Sequence, residues 1–369
     1  MTKTALVIGG TGPTGPLLIR GLEQRGYNVA MLNRGSHPLP ELNDIELIKA
    51  DPHFADTLAE GLGNKSFDLV LATYGRLRIM PEVLRGRTER LITVGGTAFA
   101  DLDGRPAGED APRYSNKIVD KIVATEQVLL DADAAGWFSL SHFRYPNLWG
   151  RRQLAPREWS IIRRIMDGRR HIPIADGGLT LESKAYVENA AHAVLLAVDL
   201  PTESAGQLYN VADEHTPTDA ARVRDIAAAM GAEVELLNLP QAATGPASFW
   251  GVGRDLSFSR EGRPPRTTHK LLDVRKMQDQ LGYRDVIPYE EAVRRTIEWY
   301  TENPLPRGGR DEQQLGDPFD YAAEDAYLAA LDEFVRATKS IPFDGVEYVH
   351  QYEHPKRAET GATTAGGAA

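Results

Sequence analysis

The chain has no cysteine among its 369 residues. That removes disulfides, thiolate nucleophiles and Cys-based zinc sites together. It also lacks any apolar run approaching the roughly 20 residues a membrane helix needs, so no membrane partner is expected. Positive charge is in deficit: 42 Lys and Arg against 52 Asp and Glu leave a net charge of −10. That is the wrong sign for holding nucleic acid by phosphate neutralisation, and no nucleic-acid partner is expected. No His/Asp/Glu spacing suggests a metal, and no internal repeat is visible. The N-terminus runs straight into a strand pattern with no signal-peptide features, which makes the cytoplasm the expected location. The last nine residues, GATTAGGAA, are low-complexity and read as a disordered tail over 361–369. The rest is 42% hydrophobic and long enough for a large α/β domain with a smaller companion.

The most informative stretch is TALVIGGTGPTGPLLIRGLEQRGYNVAMLNRG, residues 4–34. An apolar run over Thr4–Ile8 ends at Gly9, and Gly12 and Gly15 follow at intervals of three. A helical pattern and a second strand, Asn28–Leu32, come next. A glycine triplet alone is a weak signal. Between a strand and a helix it is the dinucleotide-binding fingerprint. Gly9 permits the tight turn, Gly12 lets a pyrophosphate approach the backbone, and Gly15 lets the helix lie close to the sheet. Thr11, Pro13 and Thr14 fill the loop, and the helix N-terminus offers free N–H groups to the phosphates. An ordinary glycine-rich turn is the alternative. After the second strand, an NAD site places a carboxylate on the ribose 2′-hydroxyl. This chain has Asn33 and Arg34 instead. A neutral amide and a guanidinium suit a 2′-phosphate, so NADP(H) is the expected cofactor; a solvated loop arginine is the alternative.

Strand and helix patterns keep alternating: strands at Ile45–Lys49, Phe67–Thr73, Arg90–Val94 and Phe138–Arg144, helices near Phe54–Leu62 and over Asn116–Ala134. This predicts an α/β chain with a Rossmann-type doubly wound parallel sheet and a smaller C-terminal substrate lobe. Ligands in such sheets sit at the carboxyl ends of the strands. That rule gathers Asp51, Pro52, Thr73, Tyr74, Gly95–Thr97, Tyr145 and Asn147 beside the glycine loop. After Gly150 the rhythm changes, with helices at Arg157–Gly168, Glu188–Asp199, Thr218–Met230 and Pro288–Asn303 and strands at Lys184–Val187, 206–212 and Glu233–Leu239. The expected division is a cofactor domain over 1–150 plus parts of 184–212, a discontinuous lobe over 151–306, and a helical extension over 307–360.

These motifs carry a resemblance. Over about residues 4–303 the chain resembles an atypical extended short-chain dehydrogenase/reductase of the NAD-dependent epimerase/dehydratase family. GGTGPTG, ADP (50–52), FRYPNLWGRRQ (143–153), IADGG…KAYVENAAHAV (174–194) and LLDVRKMQDQLGY…YEEAVRRTIEWY (271–300) resemble segments of that family. The resemblance implies that Asp51 contacts adenine and that Asn147 takes the place of an Asn that touches a nucleotide-sugar phosphate. It also implies a Tyr-x-x-x-Lys pair at the start of the long helix, working with a Ser or Thr after the fifth strand. Thr97 matches the hydroxyl. The helix segment PRYSNKIVDKIVATEQVL (112–129), however, has no Tyr four before either lysine. Lys121 fits best as the family lysine, which also holds the nicotinamide ribose, and this puts Lys117 in the tyrosine place. If Lys117 is the family lysine, Arg113 takes that place, with Tyr114 one residue away. Thr97, Tyr114, Lys117 and Lys121 are therefore the catalytic candidates, with two exposed helix lysines as the alternative. Glu182 stands where the family clamps a pyrophosphate with Arg, and it would repel a diphosphate. Arg151, Arg152, Arg157 and Arg163 are the cations that could compensate. Trp149, Trp159 and Trp250 line a substrate pocket or belong to the core.

Three functions fit. One is an NADP(H)-dependent oxidoreductase on a small carbonyl, alcohol or enone. Another is an epimerase, dehydratase or isomerase that retains its cofactor, on a sugar nucleotide or similar substrate. The third is a non-catalytic dinucleotide sensor. A small-molecule substrate is expected in the first two, and a homodimer is compatible with all three.

Overall fold

The apolar runs between the glycine turns become the centre of a seven-stranded parallel sheet. In the computed structural model, residues 2–97, 104–113, 115–239, 269–342, 345 and 350–352 are described. The strands are β1 (Thr4–Ile8), β2 (Asn28–Asn33), β3 (Glu46–Lys49), β4 (Leu69–Ala72), β5 (Arg90–Gly96), β6 (Ser139–Tyr145) and, after an excursion into the second half, β10 (Gln207–Asn210). Their order is β3-β2-β1-β4-β5-β6-β10, and every pairing is parallel. The chain thus winds outward in both directions from β1 and β4, as the strand–helix alternation predicts, and leaves a crevice at the switch point between them.

Both faces of the sheet are covered, which is why the central strands are apolar without alternation. Ala5 and Val7 face one core with α1 (Gly15–Gln24) and α6 (Val187–Asp199); Leu6 and Ile8 face the other with α2 (Ala55–Leu62), α3 (Met80–Leu84) and α4 (Val119–Ala134). Helix α4 begins three residues later than the sequence pattern predicts. The Asn116 side chain accepts from the backbone N–H groups of Ile118 at 2.9 Å and Val119 at 3.0 Å, a local bond that competes with the helix and fixes its entry.

Beyond Gly150 the chain builds two small parallel sheets, β7 (Asn147–Trp149) with β9 (Lys184–Tyr186), and β8 (His171–Ala175) with β11 (Glu235–Leu239). Around them lie α5 (Arg157–Met166), α7 (Asp219–Ala229), α8 (Arg275–Leu281) and α9 (Tyr289–Glu302). Strand β8 is missing from the sequence reading because Pro173 breaks its pattern. The pair has only two strands, and proline is tolerated at such an edge. Trp149 and Trp159 are core, 1% and 3% exposed, their indole N–H groups donating to Asp213 and Glu312.

Residues 308–319 come back onto α5 as a strap containing α10 (Arg310–Leu315). Arg163 donates to Glu312 at 2.6 Å, and Arg164, wholly buried, holds Asp317 through both oxygens at 2.6 and 2.9 Å. Phe319 lies 3.8 Å from the Arg163 guanidinium. Arg163 is therefore a packed, paired residue and not a cation available to compensate for Glu182. Met1–Asp320 form one compact unit and Tyr321–Ala369 a second, which holds α11 (Tyr321–Lys339). Trp250 and residues 361–369 lie outside the described residues. Among the described residues no helix is long and apolar enough to cross a membrane, and no group of acidic or histidine side chains could hold a metal.

Candidate functional site

The glycine loop joins β1 to α1 at the carboxyl edge of the sheet. Gly9 sits at φ +93°, and its N–H donates to Leu32 at 3.1 Å. A Cβ there would meet Tyr74 Cβ at 2.3 Å, so only glycine makes this turn. At Gly15 a Cβ would fall 2.2 Å from the Gly10 carbonyl oxygen; glycine lets α1 start against the turn. At Gly12 the nearest neighbour would be the Gly9 oxygen at 3.7 Å. Among the described residues nothing crowds that side, so the bare backbone of Gly12 keeps open the space a pyrophosphate needs. The residues present thus fit a dinucleotide, with Thr11 and Pro13 half-exposed on the rim. Thr14 and Tyr145 are buried beneath the loop. The Tyr145 hydroxyl donates to the Ala190 carbonyl at 2.9 Å, and burial pushes its pKa up. Tyr145 supports the loop from below rather than presenting its hydroxyl to the cleft. Thr73 ties β4 to the same loop, its hydroxyl donating to Gly9 at 3.2 Å. The sequence reading missed Gly10, where a Cβ would meet Ile19 at 2.7 Å and Met31 at 2.9 Å; the doubled glycine was the available signal.

At the end of β2, Asn33 accepts from the Gly35 N–H at 2.6 Å, which leaves Arg34 exposed and steadied by the Tyr74 hydroxyl at 3.3 Å. The stem of Lys49, the β3 residue paired with Asn33, lies 3.6 Å from where a Gly35 Cβ would stand. Lys49 is a second exposed cation beside Arg34 that the sequence reading did not single out. Asp51 accepts from the His53 backbone at 3.0 Å and from its ring at 2.9 Å. Those bonds, with Arg34 nearby, hold its carboxyl below the usual range. Pro52 accepts from the Arg76 N–H at 3.0 Å, and His53 meets the Tyr74 ring edge-on at 5.0 Å. Asn33, Arg34, Asp51, Pro52, Thr73 and Tyr74 thus share one edge with the glycine loop.

The reacting end lies along β5 and α4. Helices in a parallel sheet run against the strands, so the first turn of α4 stands at the ligand edge. Ile122 of that turn is 4.0 Å from where a Gly96 Cβ would be, and the Thr97 N–H donates to the Tyr145 carbonyl at 3.1 Å. Thr97 and Lys121 therefore come to the same corner. Lys121 is exposed on α4; Lys117 is exposed in the turn before it, outside the helix in which the sequence pattern places it. Among the described residues neither ammonium has an ion-pair partner. Tyr114 lies outside the described residues.

Beneath this corner is a charge network that sequence reasoning did not find. Arg144 of β6 donates to both oxygens of Glu126 on α4 at 2.8 and 2.7 Å, and to the Glu109 carbonyl at 2.7 Å. Arg113 reaches the same carboxylate at 2.9 Å. Burial pushes the Glu126 carboxyl up, but Arg144 and Arg113 outweigh it and hold it low. His142 is 1% exposed, hydrogen-bonded to Thr93 at 2.7 Å and 3.8 Å from Glu126. A Cβ on Gly95 would strike its ring at 2.8 Å, which explains the first glycine of that pair. The only sequence signal was an arginine and a histidine inside an apolar strand pattern.

Burial pushes the His142 pKa from 6.5 down to about 4, so the folded protein holds this ring neutral while the unfolded chain protonates it first. Stability is full above the unfolded pKa and is lost as the pH falls toward the folded one, by about 3 kcal/mol at most. Asp213 and Asp219, pushed up to about 6 by burial, act in the opposite sense in the same range. The test is therefore a comparison of slopes. In urea unfolding at pH 7.5, 6 and 5, His142→Gln should lose less stability on acidification than the wild type. Parallel slopes would rule the idea out.

On the lobe side, Asn147 at the start of β7 is exposed, and its amide donates to Glu182 at 2.8 Å. Behind it, Glu158, Glu182, Lys184, Asp219 and Arg222 are between 1% and 8% exposed. Burial and Arg222 lower the Lys184 pKa, and Arg222 stacks over Trp149 at 4.7 Å. Of the other lobe arginines, Arg151 meets Glu188 at 3.7 Å and Arg152 meets Glu41 at 2.6 Å.

No protein-family model matches the chain. Among curated proteins it is 26% identical over 215 residues to the uncharacterised protein YbjS of Escherichia coli, across 53% of this chain and 60% of that protein. It is 26% identical over 137 residues to the dTDP-glucose 4,6-dehydratase of Neisseria gonorrhoeae, across 37% and 36%. The chain thus spans less than two thirds of the length of these relatives. Among solved structures, dTDP-glucose 4,6-dehydratase of Bacillus anthracis in complex with NAD superimposes with a TM-score of 0.63 at 14% identity, over 82% of this chain and 97% of that one. At that identity the likeness establishes the shared fold.

Proposed function

We propose that this chain, whose relatives and structural neighbours are members of the extended short-chain dehydrogenase/reductase, or NAD-dependent epimerase/dehydratase, family, is a dinucleotide-dependent enzyme that acts on a hydroxyl-bearing, sugar-like substrate and retains its cofactor through the turnover. The observation that carries this reading is Gly12, a glycine that packing does not demand, at the open centre of a loop whose other glycines packing does demand. The dinucleotide, held by the glycine loop and Lys121, would supply reversible hydride transfer at the substrate carbinol. The chain's own groups do the rest. Lys121 holds the nicotinamide ribose. Thr97, with Tyr114 or Lys117, holds a proton at the substrate oxygen. The buried Glu126–Arg144–Arg113 network keeps that corner rigid. Turnover of a candidate alcohol at constant bound-cofactor absorbance supports the reading. Stoichiometric consumption of reduced cofactor supports a second one, a net oxidoreductase on a small carbonyl, alcohol or enone. Tight cofactor binding without turnover on any alcohol or carbonyl would leave a sensor.

The cofactor we propose is NADP(H). Arg34 is exposed, its neighbour Asn33 carries no charge, and Lys49 stands beside it. A charge-assisted bond to a phosphate is worth about 1.5–3 kcal/mol. Arg34→Glu should therefore weaken NADPH by tens of fold in a fluorescence titration while leaving NADH nearly unchanged. A wild type that binds both equally, or prefers NADH, overturns the assignment.

A further inference from the structure

An exposed arginine ordinarily samples many rotamers, and a phosphate that captures it must stop that motion. The ordering weakens binding by a few-fold to about tenfold for one long side chain. At Arg34 the motion is already restrained. Its Nη2 donates to the Tyr74 hydroxyl at 3.3 Å. That spends one of the five N–H donors of a guanidinium and leaves the rest for a ligand. Among the described residues Arg34 has no ion-pair partner. Asp51 feels its charge from beyond bonding distance, with Oδ1 taken twice by His53. Of the other cations at this edge, Lys49 has no such tether, and Arg76 lies over the Phe54 ring at 5.7 Å.

Tyr74 is itself a fixed point. Its backbone lies against the glycine loop, where a Cβ on Gly9 would meet Tyr74 Cβ at 2.3 Å and Tyr74 N at 3.0 Å. On its other side Gly75 takes φ +106°, and a Cβ there would strike Pro52 Cβ at 2.8 Å. The ring is 45% exposed, so the core does not hold it. It meets His53 nearly perpendicular at 5.0 Å instead. His53 is held in turn by Asp51, at 2.9 Å through its ring and 3.0 Å through its backbone. A chain of contacts thus runs from Asp51 through His53 and Tyr74 to Arg34, and joins the segment after β3 to the end of β2.

We propose that Tyr74 is a specificity-determining residue of the cofactor site: acting through Arg34, it holds the guanidinium ready for the ribose 2′-phosphate and so favours NADP(H) over NAD(H). This deepens the NADP(H) assignment and rests on it. Tyr74 is a positioning residue, and its hydroxyl needs no contact with the cofactor. NADH has no 2′-phosphate and gains nothing from an ordered Arg34. The effect therefore falls on one cofactor alone, which a packing role cannot produce.

The test is a set of fluorescence titrations with NADPH and NADH on the full chain, as wild type, Tyr74→Phe, Arg34→Ala and the double variant. Phenylalanine keeps the ring against His53 and removes only the hydroxyl, at an exposed site, so the melting temperature should not change. Tyr74→Phe should weaken NADPH about three- to tenfold, the effect of re-ordering one long side chain. NADH should stay within about twofold, the limit within which independent changes add. In the Arg34→Ala background the same Tyr74→Phe change should be silent, because nothing is left to position. A wild type without NADPH preference overturns the cofactor assignment and this inference with it. A wild-type preference that Tyr74→Phe leaves intact overturns this inference alone. So does an equal loss of both cofactors, or a Tyr74→Phe effect undiminished when Arg34 is already alanine.

Discussion

Gly15→Val should abolish dinucleotide binding and lower the melting temperature by several degrees, whereas Gly12→Ala should leave the melting temperature nearly unchanged and still lose the cofactor. The two glycines belong to one motif, yet the structure gives them different work. A Cβ at Gly15 lies 2.2 Å from Gly10 O, 2.3 Å from Gly10 C and 2.8 Å from Gly10 Cα. All three are backbone atoms, so no rotamer change relieves the clash. Helix α1 must move off β1, which costs about 1–3 kcal/mol or more as overpacking and carries the loop's N–H groups out of register. A Cβ at Gly12 has 3.7 Å of clearance from the protein and projects instead into the space a pyrophosphate would fill. Thermal melts and NADPH titrations on both variants separate the effects. A Gly12→Ala protein that binds NADPH as tightly as the wild type would mean the open face of the loop is not a phosphate cradle.

Lys121→Ala should weaken NADPH and, by letting the nicotinamide shift from its place beside the substrate, cost about 10²-fold or more in kcat/KM; Lys117→Ala, which removes one of two candidate proton holders and leaves the cofactor in place, should cost less. Lys121 sits in the first turn of α4, where Ile122 packs toward Gly96 and Thr97 follows on the chain. Its ammonium has no ion pair to retain it among the described residues. Lys117 lies in the turn shaped by Asn116, before the helix begins. The cofactor titration needs no substrate, so the Lys121 assignment is testable at once. If Lys117→Ala is the damaging change and Lys121→Ala is silent, Lys117 is the lysine of the motif. Arg113, anchored on Glu126 at 2.9 Å, then occupies the place of its tyrosine.

Which parts of this were readable from sequence follows from the range of the forces involved. The sheet was legible because its strands announce themselves one at a time. TALVI is apolar on both faces, and the glycine that follows it ends the strand at the residue the structure shows. Helix α6, an almost unbroken run of small and apolar residues, was readable for the same reason. The start of α4 was not, because a single Asn116 side chain overrides the periodicity there. Strand β8 was hidden by Pro173. The network of Glu126, Arg144, Arg113 and His142 joins α4 to a strand and a loop at sequence separations of 13 to 18 residues, and no local pattern encodes such a meeting. The same holds for Glu158, Lys184 and Arg222. Glu182 could be suspected of repelling a diphosphate from its neighbours in sequence, but its buried setting and its grip on Asn147 could not.

The strap over α5 bears on how this protein is to be cut. Arg164 is wholly buried, and its charge is answered by Asp317, 153 residues further along the chain. A gene trimmed after α9 would look complete by the measure of its sheet, yet it would take Asp317 from the buried Arg164, Glu312 from Arg163 and the acceptor from the Trp159 indole N–H. Removing one partner of a buried ion pair typically costs about 3–5 kcal/mol. The stretch that carries no motif is thus the latch that shuts the fold, and the shortest piece worth expressing ends no earlier than residue 320.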